Sequence, residues 1–182
     1  QPSVQGLGSM SGHQLGALYV TSLDSQIRAR HGRHYTPPEL AESLWVMTRR
    51  ALGFGKSASR LDGLVRDPAC GAGALLLPAL REHVAASSAT DPHLAMNQIP
   101  SLIEGVDSDP AAAWLANVIL GAELLPILTR IPEHRRPKLP SLVSVGDGLA
   151  PASRPSRAIV MNPPYGRVRL GEADRSRFQR TL

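Results

Sequence analysis

The sequence predicts an α/β protein: a parallel sheet with helices on its faces. Three observations lead there. Short apolar runs alternate with longer amphipathic stretches. Helix-length segments separate most of the runs, as parallel strands need a crossover. Every run ends in a polar or turn-forming cluster, at Asp67, Asp107, Asp147 and Asn162. In such a sheet ligands bind beyond the carboxyl ends of the strands, so four polar signals would converge on one edge.

The elements follow in order. Leu15, Leu18, Tyr19, Leu23 and Ile27 recur at spacings of three and four, one stripe of a helix running to about Ala29. Gly32 breaks it. His34-Tyr35-Thr36-Pro37-Pro38-Glu39 is a turn, with Thr36 or a neighbour able to cap the next helix. Leu40, Leu44, Trp45, Met47 and Leu52 mark that helix, which stops near Gly53-Phe54-Gly55. Leu61 to Arg66 is the first strand. A helix is expected from Ala74 to about Ala86, kinked or delayed by Pro78. Residues 87–100 are polar and broken by prolines, and are expected as a loop or insertion.

The second strand is Leu102 to Val106. Asp109-Pro110 reads as an N-cap with proline at the first helical position, opening a helix from Ala111 to Leu125. Residues 129–140 hold three prolines and four basic side chains, a surface loop. Leu142 to Val145 and Arg157 to Met161 are the third and fourth strands. Trp45 and Trp114 lie on helix faces and are expected in the core, as is Cys70. The tail from Gly166 is basic and mostly polar.

Length and composition bound the rest. At 182 residues the chain fits one domain. Hydrophobic residues make up 42% and charged residues 19%, which argues against a wholly disordered chain. One cysteine excludes an internal disulfide framework and fits a cytoplasmic home. No apolar run approaches the roughly 20 residues of a membrane span, so no membrane is expected. The net charge is +5, and only Lys56 and Lys138 are lysines. Arginine favours planar contacts with phosphates, which raises nucleic acid modestly as a partner. The six histidines show no ligand spacing, and no metal is expected.

Four clusters carry chemistry. Asp67-Pro68-Ala69-Cys70-Gly71-Ala72-Gly73 joins a strand to a helix, and its glycines let the backbone approach a ligand. A nicotinamide fingerprint would need glycine where Leu76 stands. Asp107, ending the second strand, can accept both hydroxyls of a ribose, and is otherwise a turn aspartate. Asp147 in Gly146-Asp147-Gly148 can accept from the amino group of an adenine ring, and the tripeptide is also an ordinary turn. Asn162-Pro163-Pro164-Tyr165 is the most specific. Its prolines stiffen the backbone, so the Asn162 amide oxygen and the Pro163 carbonyl are two fixed acceptors for one –NH2 group. Tyr165 offers a face on which a base can stack, worth about 1–3 kcal/mol.

These residues resemble the adenine-specific DNA methyltransferases. Asn-Pro-Pro-Tyr is that family's catalytic signature, and Asp-Pro-Ala-Cys-Gly-x-Gly its S-adenosylmethionine loop. Gly32-Arg33-His34-Tyr35-Thr36-Pro37-Pro38 is similar to its N-terminal cofactor motif. Its position ahead of the glycine loop resembles the gamma group, with the modification subunits of type I restriction systems and fused restriction–modification enzymes. The likeness spans about Leu15 to Gly166. It departs at Ala72, where serine is common, at Leu75, where phenylalanine is common, and at Arg157, where an acidic residue is frequent.

The resemblance implies a Rossmann-like sheet of a class I S-adenosylmethionine-dependent methyltransferase, incomplete here, with an N-terminal helical segment. Residues 1–11 read as a flexible leader, and the resemblance implies a helical segment with a cofactor-contacting turn over 12–56 and a core over 57–182 cut short after the catalytic turn. Tyr35, Thr36 and Pro37 would line the methionine end of the cofactor. Asp67, Ala69, Gly71 and Gly73 would hold its amino acid part, Asp107 its ribose and Asp147 its adenine. Asn162, Pro163, Pro164 and Tyr165 would hold the target adenine. The implied partners are double-stranded DNA with a flipped adenine, and a specificity or restriction subunit. Arg167 and Arg169 are candidate phosphate contacts, or solvated charge. Two other functions stay open: an amine methyltransferase with the same turn, acting on protein glutamine or RNA, and a non-catalytic cofactor-binding or assembly module.

Overall fold

The structure, a computed structural model, describes residues 10–22, 36–54 and 61–163. In chain order it contains α1 (Gly12–Ser22), α2 (Pro38–Ala51), β1 (Val65–Asp67), α3 (Leu77–Ala86), α4 (Pro92–Leu102), β2 (Ile103–Asp107), α5 (Pro110–Glu123), α6 (Leu125–Leu128), β3 (Val143–Val145) and β4 (Ala158–Ile159). The strands form one four-stranded sheet in the order β3-β2-β1-β4, and every pairing is parallel. The chain is therefore α/β with an all-parallel sheet, compatible with a Rossmann-like fold. Strand order runs outward from β1 in both directions. A crevice is expected beyond the carboxyl ends of β1 and β4, where the order reverses.

Register sorts the side chains into two faces. Val65 pairs with Ile103 and Ala158, so these three share a face, and alternation adds Asp67, Gly105, Val143 and Val160. All are buried, and Leu76 and Cys70 lie over Gly105. Leu76, Leu77 and Leu80 are 0% exposed, and Ile119 and Leu120 of α5 at most 2%. Each such side chain stabilises the fold by about 1.5–3 kcal/mol. The other face carries Arg66, Glu104 and Ile159 side by side. Arg66 pairs with Glu104 at 3.1 Å, and Arg154 reaches the second oxygen of Glu104 at 2.8 Å. Ile159 is 61% exposed there.

Asn117 of α5 closes part of the outer edge of β3. Its Oδ1 accepts from the backbone N–H groups of Leu142 (2.8 Å) and Val143 (3.0 Å), and its Nδ2 donates to the Val143 carbonyl (2.7 Å). The side-chain amide thus stands in for a neighbouring strand and blunts that edge.

Several expectations are corrected. Residues 87–100 are not a loop: Asp91 caps α4 by accepting from Leu94 N at 3.0 Å, Pro92 opens it, and Ala95, Met96, Ile99 and Leu102 are its buried stripe. The helix expected from Ala74 begins at Leu77, because Gly71 to Leu76 form tight turns and Pro78 fits only the first turn. The strands are shorter than expected. β1 starts at Val65, after Gly63 takes φ +99°, and β4 is confined to Ala158–Ile159. The α5 helix ends at Glu123 and the short α6 follows it. Thr36 is not a cap, since Pro37 occupies that position and no side chain bonds to the helix start. Trp45 is core as expected, at 5% exposure, whereas Trp114 stands on the outside of α5 at 68%. The far end of the first helix, with Leu23 and Ile27, lies outside the described residues, as do Tyr35, Pro164, Tyr165, Arg167 and Arg169. No helix among the described residues is long and apolar enough to cross a membrane.

Candidate functional site

The turn after β1 is built from Asp67 to Leu76. Gly71 and Gly73 adopt φ of +53° and +83°, a region that side-chain-bearing residues rarely occupy. A Cβ on Gly71 would meet nothing within 4 Å, so the backbone there faces open space. Gly73 lies the other way, against Ala116 and Leu120 of α5. Asp67 is 1% exposed, and its Oδ1 accepts from Ala69 N at 3.0 Å. Burial pushes its carboxyl up to about 7. The Ala69 bond works against that shift and the nearby Asp107 charge adds to it. Burial, with Asp67 and Asp107 alongside, also raises the Cys70 thiol, which stays protonated and is no nucleophile.

The turn after β2 locks onto the first. Asp107 Oδ2 accepts from Gly71 N at 2.8 Å, and its Oδ1 accepts from Asp109 N at 2.8 Å. Cys70 N donates to Val106 O at 3.0 Å alongside. Asp109 caps α5 as the sequence suggested, accepting from Ala111 N at 3.0 Å.

The turn after β3 closes on both. Gly146 N donates to Asp107 O at 2.9 Å. A Cβ on Gly148 would fall 1.8 Å from Pro68 O, so only glycine permits this approach. Asp147, between them, is exposed and accepts from Leu149 N at 2.9 Å. The three aspartates expected at strand ends are thus gathered at one edge of the sheet.

The fourth strand end joins them from the other side. Val160 N donates to Arg66 O at 3.0 Å, which sets Asn162 just beyond the carboxyl end of β1. Half-buried Asn162 donates through Nδ2 to the hydroxyl of Thr36 at 3.4 Å. Its Oδ1 has no donor among the described residues. The two expected motifs, 126 positions apart, therefore touch. Pro163 follows, exposed.

Thr36 is held there by a device the sequence did not reveal. Glu82 of α3 accepts from Trp45 Nε1 (2.9 Å) and from Leu61 N (3.0 Å), and pairs with Arg49. Trp45 and Arg49 belong to α2, whose start carries Thr36 and Pro37. A glutamate on a helix reads as solvated charge, and only its distant partners reveal it. Burial alone would raise the Glu82 carboxyl, but bonds from Arg49, Leu61 and Trp45 win and lower it.

A separate cavity of about 490 Å³ lies on the outer side of α5, between Trp114, Val118, Leu125 and Leu139. None of the expected site residues lines it. The strand-end edge, not this cavity, holds the polar groups from several elements that a ligand site needs.

The edge fits a bound nucleotide cofactor on two counts. Gly71 leaves room where a side chain would intrude. Asp107 spends one bond per oxygen on the backbone, and a carboxylate has about four acceptor positions. No model of a known protein family matches the chain, and no curated protein matches it.

Proposed function

We propose that this chain is the S-adenosylmethionine-binding and catalytic core of an adenine-specific DNA methyltransferase, of Rossmann-like class I architecture, serving restriction–modification or a related host defence. The observation that carries the reading is the contact of Asn162 with Thr36 beyond the carboxyl end of β1, at the reversal point of the strand order.

In this reading Thr36 and Pro37, with Tyr35, line the methionine end of the cofactor. Asp67, Ala69, Gly71 and Gly73 cradle its amino acid part, Asp107 its ribose hydroxyls and Asp147 its adenine. The cofactor supplies an already activated sulfonium methyl group. The protein's share is placement and polarisation. An aromatic amine is a poor nucleophile because its lone pair is spread into the ring. Accepting its two protons at Asn162 Oδ1 and the Pro163 carbonyl draws the nitrogen toward a tetrahedral shape and localises that pair. The donation of Asn162 Nδ2 to Thr36 supports this role, because it orients Oδ1 as the acceptor. Pro164 stiffens the turn, and Tyr165 stacks on the base. The base must leave the duplex to reach the turn, at a cost of a few kcal/mol.

The test is transfer of a labelled methyl group to DNA, RNA and protein substrates offered together. Label on adenine in DNA is expected, and Asn162→Ala should lower the rate by about 10²–10³, the usual cost of losing one oxyanion-type contact. Label on RNA or on protein glutamine instead would overturn the DNA assignment. Undiminished transfer in Asn162→Ala would remove that residue's role.

A further inference from the structure

Helix α1 stands apart from the strand ends, yet one of its side chains reaches them. Tyr19, half-buried, donates its hydroxyl to Asp109 Oδ2 across 90 positions of sequence. Asp109 is a junction. Its Oδ1 caps α5 through Ala111 N at 3.0 Å, and its own N–H donates to Asp107 Oδ1 at 2.8 Å. Asp107 in turn holds Gly71 N at 2.8 Å. A run of hydrogen bonds therefore leads from α1, through the start of α5, to the glycine turn.

We propose that Tyr19 is a positioning residue for the nucleotide site: through Asp109 it fixes the Asp107 carboxylate and the Gly71 turn that would receive the ribose. This rests on the reading of Asp107 as the ribose ligand. The physical case is short. Asp109 takes an extended backbone, φ −92° and ψ 115°, and the turn from Val106 to Pro110 is set by side-chain bonds rather than by strand pairing alone. An Asx cap that also accepts a phenol proton has both its oxygens engaged, which restricts its rotamer. Losing the phenol removes one of the bonds that hold the Asp109 carboxylate and loosens the backbone N–H that orients Asp107. The remainder of α1 packs through other groups: His13 and Gly16 are buried, and Gly12 sits against Ile119. Its docking thus survives loss of one hydroxyl.

The experiment compares wild type with Tyr19→Phe in two measurements. The first is amide hydrogen exchange of Gly71 and Asp109 in the free protein. Faster exchange at both, with exchange in α3 unchanged, is expected, and unaltered exchange at Gly71 overturns the proposal. The second is calorimetric binding of S-adenosylhomocysteine. Tyr19→Phe should weaken it by about threefold to tenfold, the range one net hydrogen bond is worth, with the melting temperature held. The loss should vanish in an Asp107→Asn background, which a merely structural Tyr19 would not produce. Equal affinity of wild type and Tyr19→Phe overturns the inference alone. Failure of the wild type to bind overturns the reading of Asp107 as a ribose ligand, and the inference with it.

Discussion

Asp67 and Glu82 are both carboxylates withdrawn from water, and they are treated in opposite ways. Glu82 lies where three donors converge: the Arg49 guanidinium, the Trp45 indole and the Leu61 backbone. Those bonds outweigh its burial and lower its pKa. Asp67 is more deeply buried, accepts from Ala69 N, has Asp107 for a neighbour, and titrates near 7. The first arrangement is a scaffold joint, in which every polar group is matched by the fold itself. The second is a candidate site, in which the fold leaves acceptor capacity and a second carboxylate together at a strand end. Perturbed carboxyls at such edges are the expected mark of a place prepared for a ligand.

The comparison breaks hardest at Glu82. Replacing it with alanine removes the acceptor of the Trp45 N–H and the Leu61 N–H and breaks the ion pair with Arg49, whose side chains are only 13–18% exposed. The expected loss is about 3–5 kcal/mol, since removing one member of a buried pair costs more than the pair contributes. The urea midpoint of unfolding should fall sharply. Glu82→Gln, which keeps an acceptor but loses the charge, should recover part of it. A loss under about 1 kcal/mol in Glu82→Ala would mean that the joint is solvated and that α2 is held by apolar packing alone.

The pH dependence of stability should separate the two carboxylates by sign. Asp67 goes from an ordinary value of 3.8 to about 7 on folding. Between those limits the folded chain holds a proton that the unfolded chain has shed. Stability therefore falls as pH rises from about 4 to about 7, by a few kcal/mol at about 1.4 per pKa unit, and is level above. Glu82 behaves conversely. Its lowered pKa gives stability that is present above the ordinary glutamate value and lost as pH falls through the folded one. Denaturant midpoints across this range should show Asp67→Asn flattening the upper slope and leaving the acid limb intact. Saturating S-adenosylhomocysteine, if Asp67 faces its amino group, should reduce the same slope by favouring the carboxylate.

What the sequence disclosed follows from the range of each interaction. Strand ends were legible because a polar residue after an apolar run is a local event, and Asp67, Asp107, Asp147 and Asn162 all stand where that pattern put them. The cap at Asp109-Pro110 was legible for the same reason. The same pair of residue types at Asp91-Pro92 opens α4, but the polar character and prolines of residues 87–100 read as a loop. Pro100 is tolerated there near the helix end. Glu82, Tyr19 and Gly148 were not legible, since each acts only on a partner far away in sequence. The contact of Asn162 with Thr36 likewise depends on β4 pairing with β1, a choice of strand order that spacing does not encode.

The smallest expected effect concerns the two tryptophans, which look alike in sequence. Each stands in a helix among apolar residues at helical spacing. On α2 periodicity rightly places Trp45 inside, but the same stripe takes in Leu40 and Met47, which are 56% and 64% exposed. It fails on α5, where Ala111, Trp114, Val118 and Ala122 continue the apolar character around the outside. Trp114→Ser should therefore change stability by less than about 0.5 kcal/mol, as for a surface site without special contacts. Trp45→Phe should cost about 1 kcal/mol or more, because Glu82 loses a donor inside the joint. Acrylamide quenching of fluorescence reads the same difference directly. Trp114→Phe should remove the readily quenched, red-shifted emission, and Trp45→Phe the shielded part. An equally shielded Trp114 in solution would mean that its face of α5 is covered there by something other than water, and that the apolar outside of this helix is an interface.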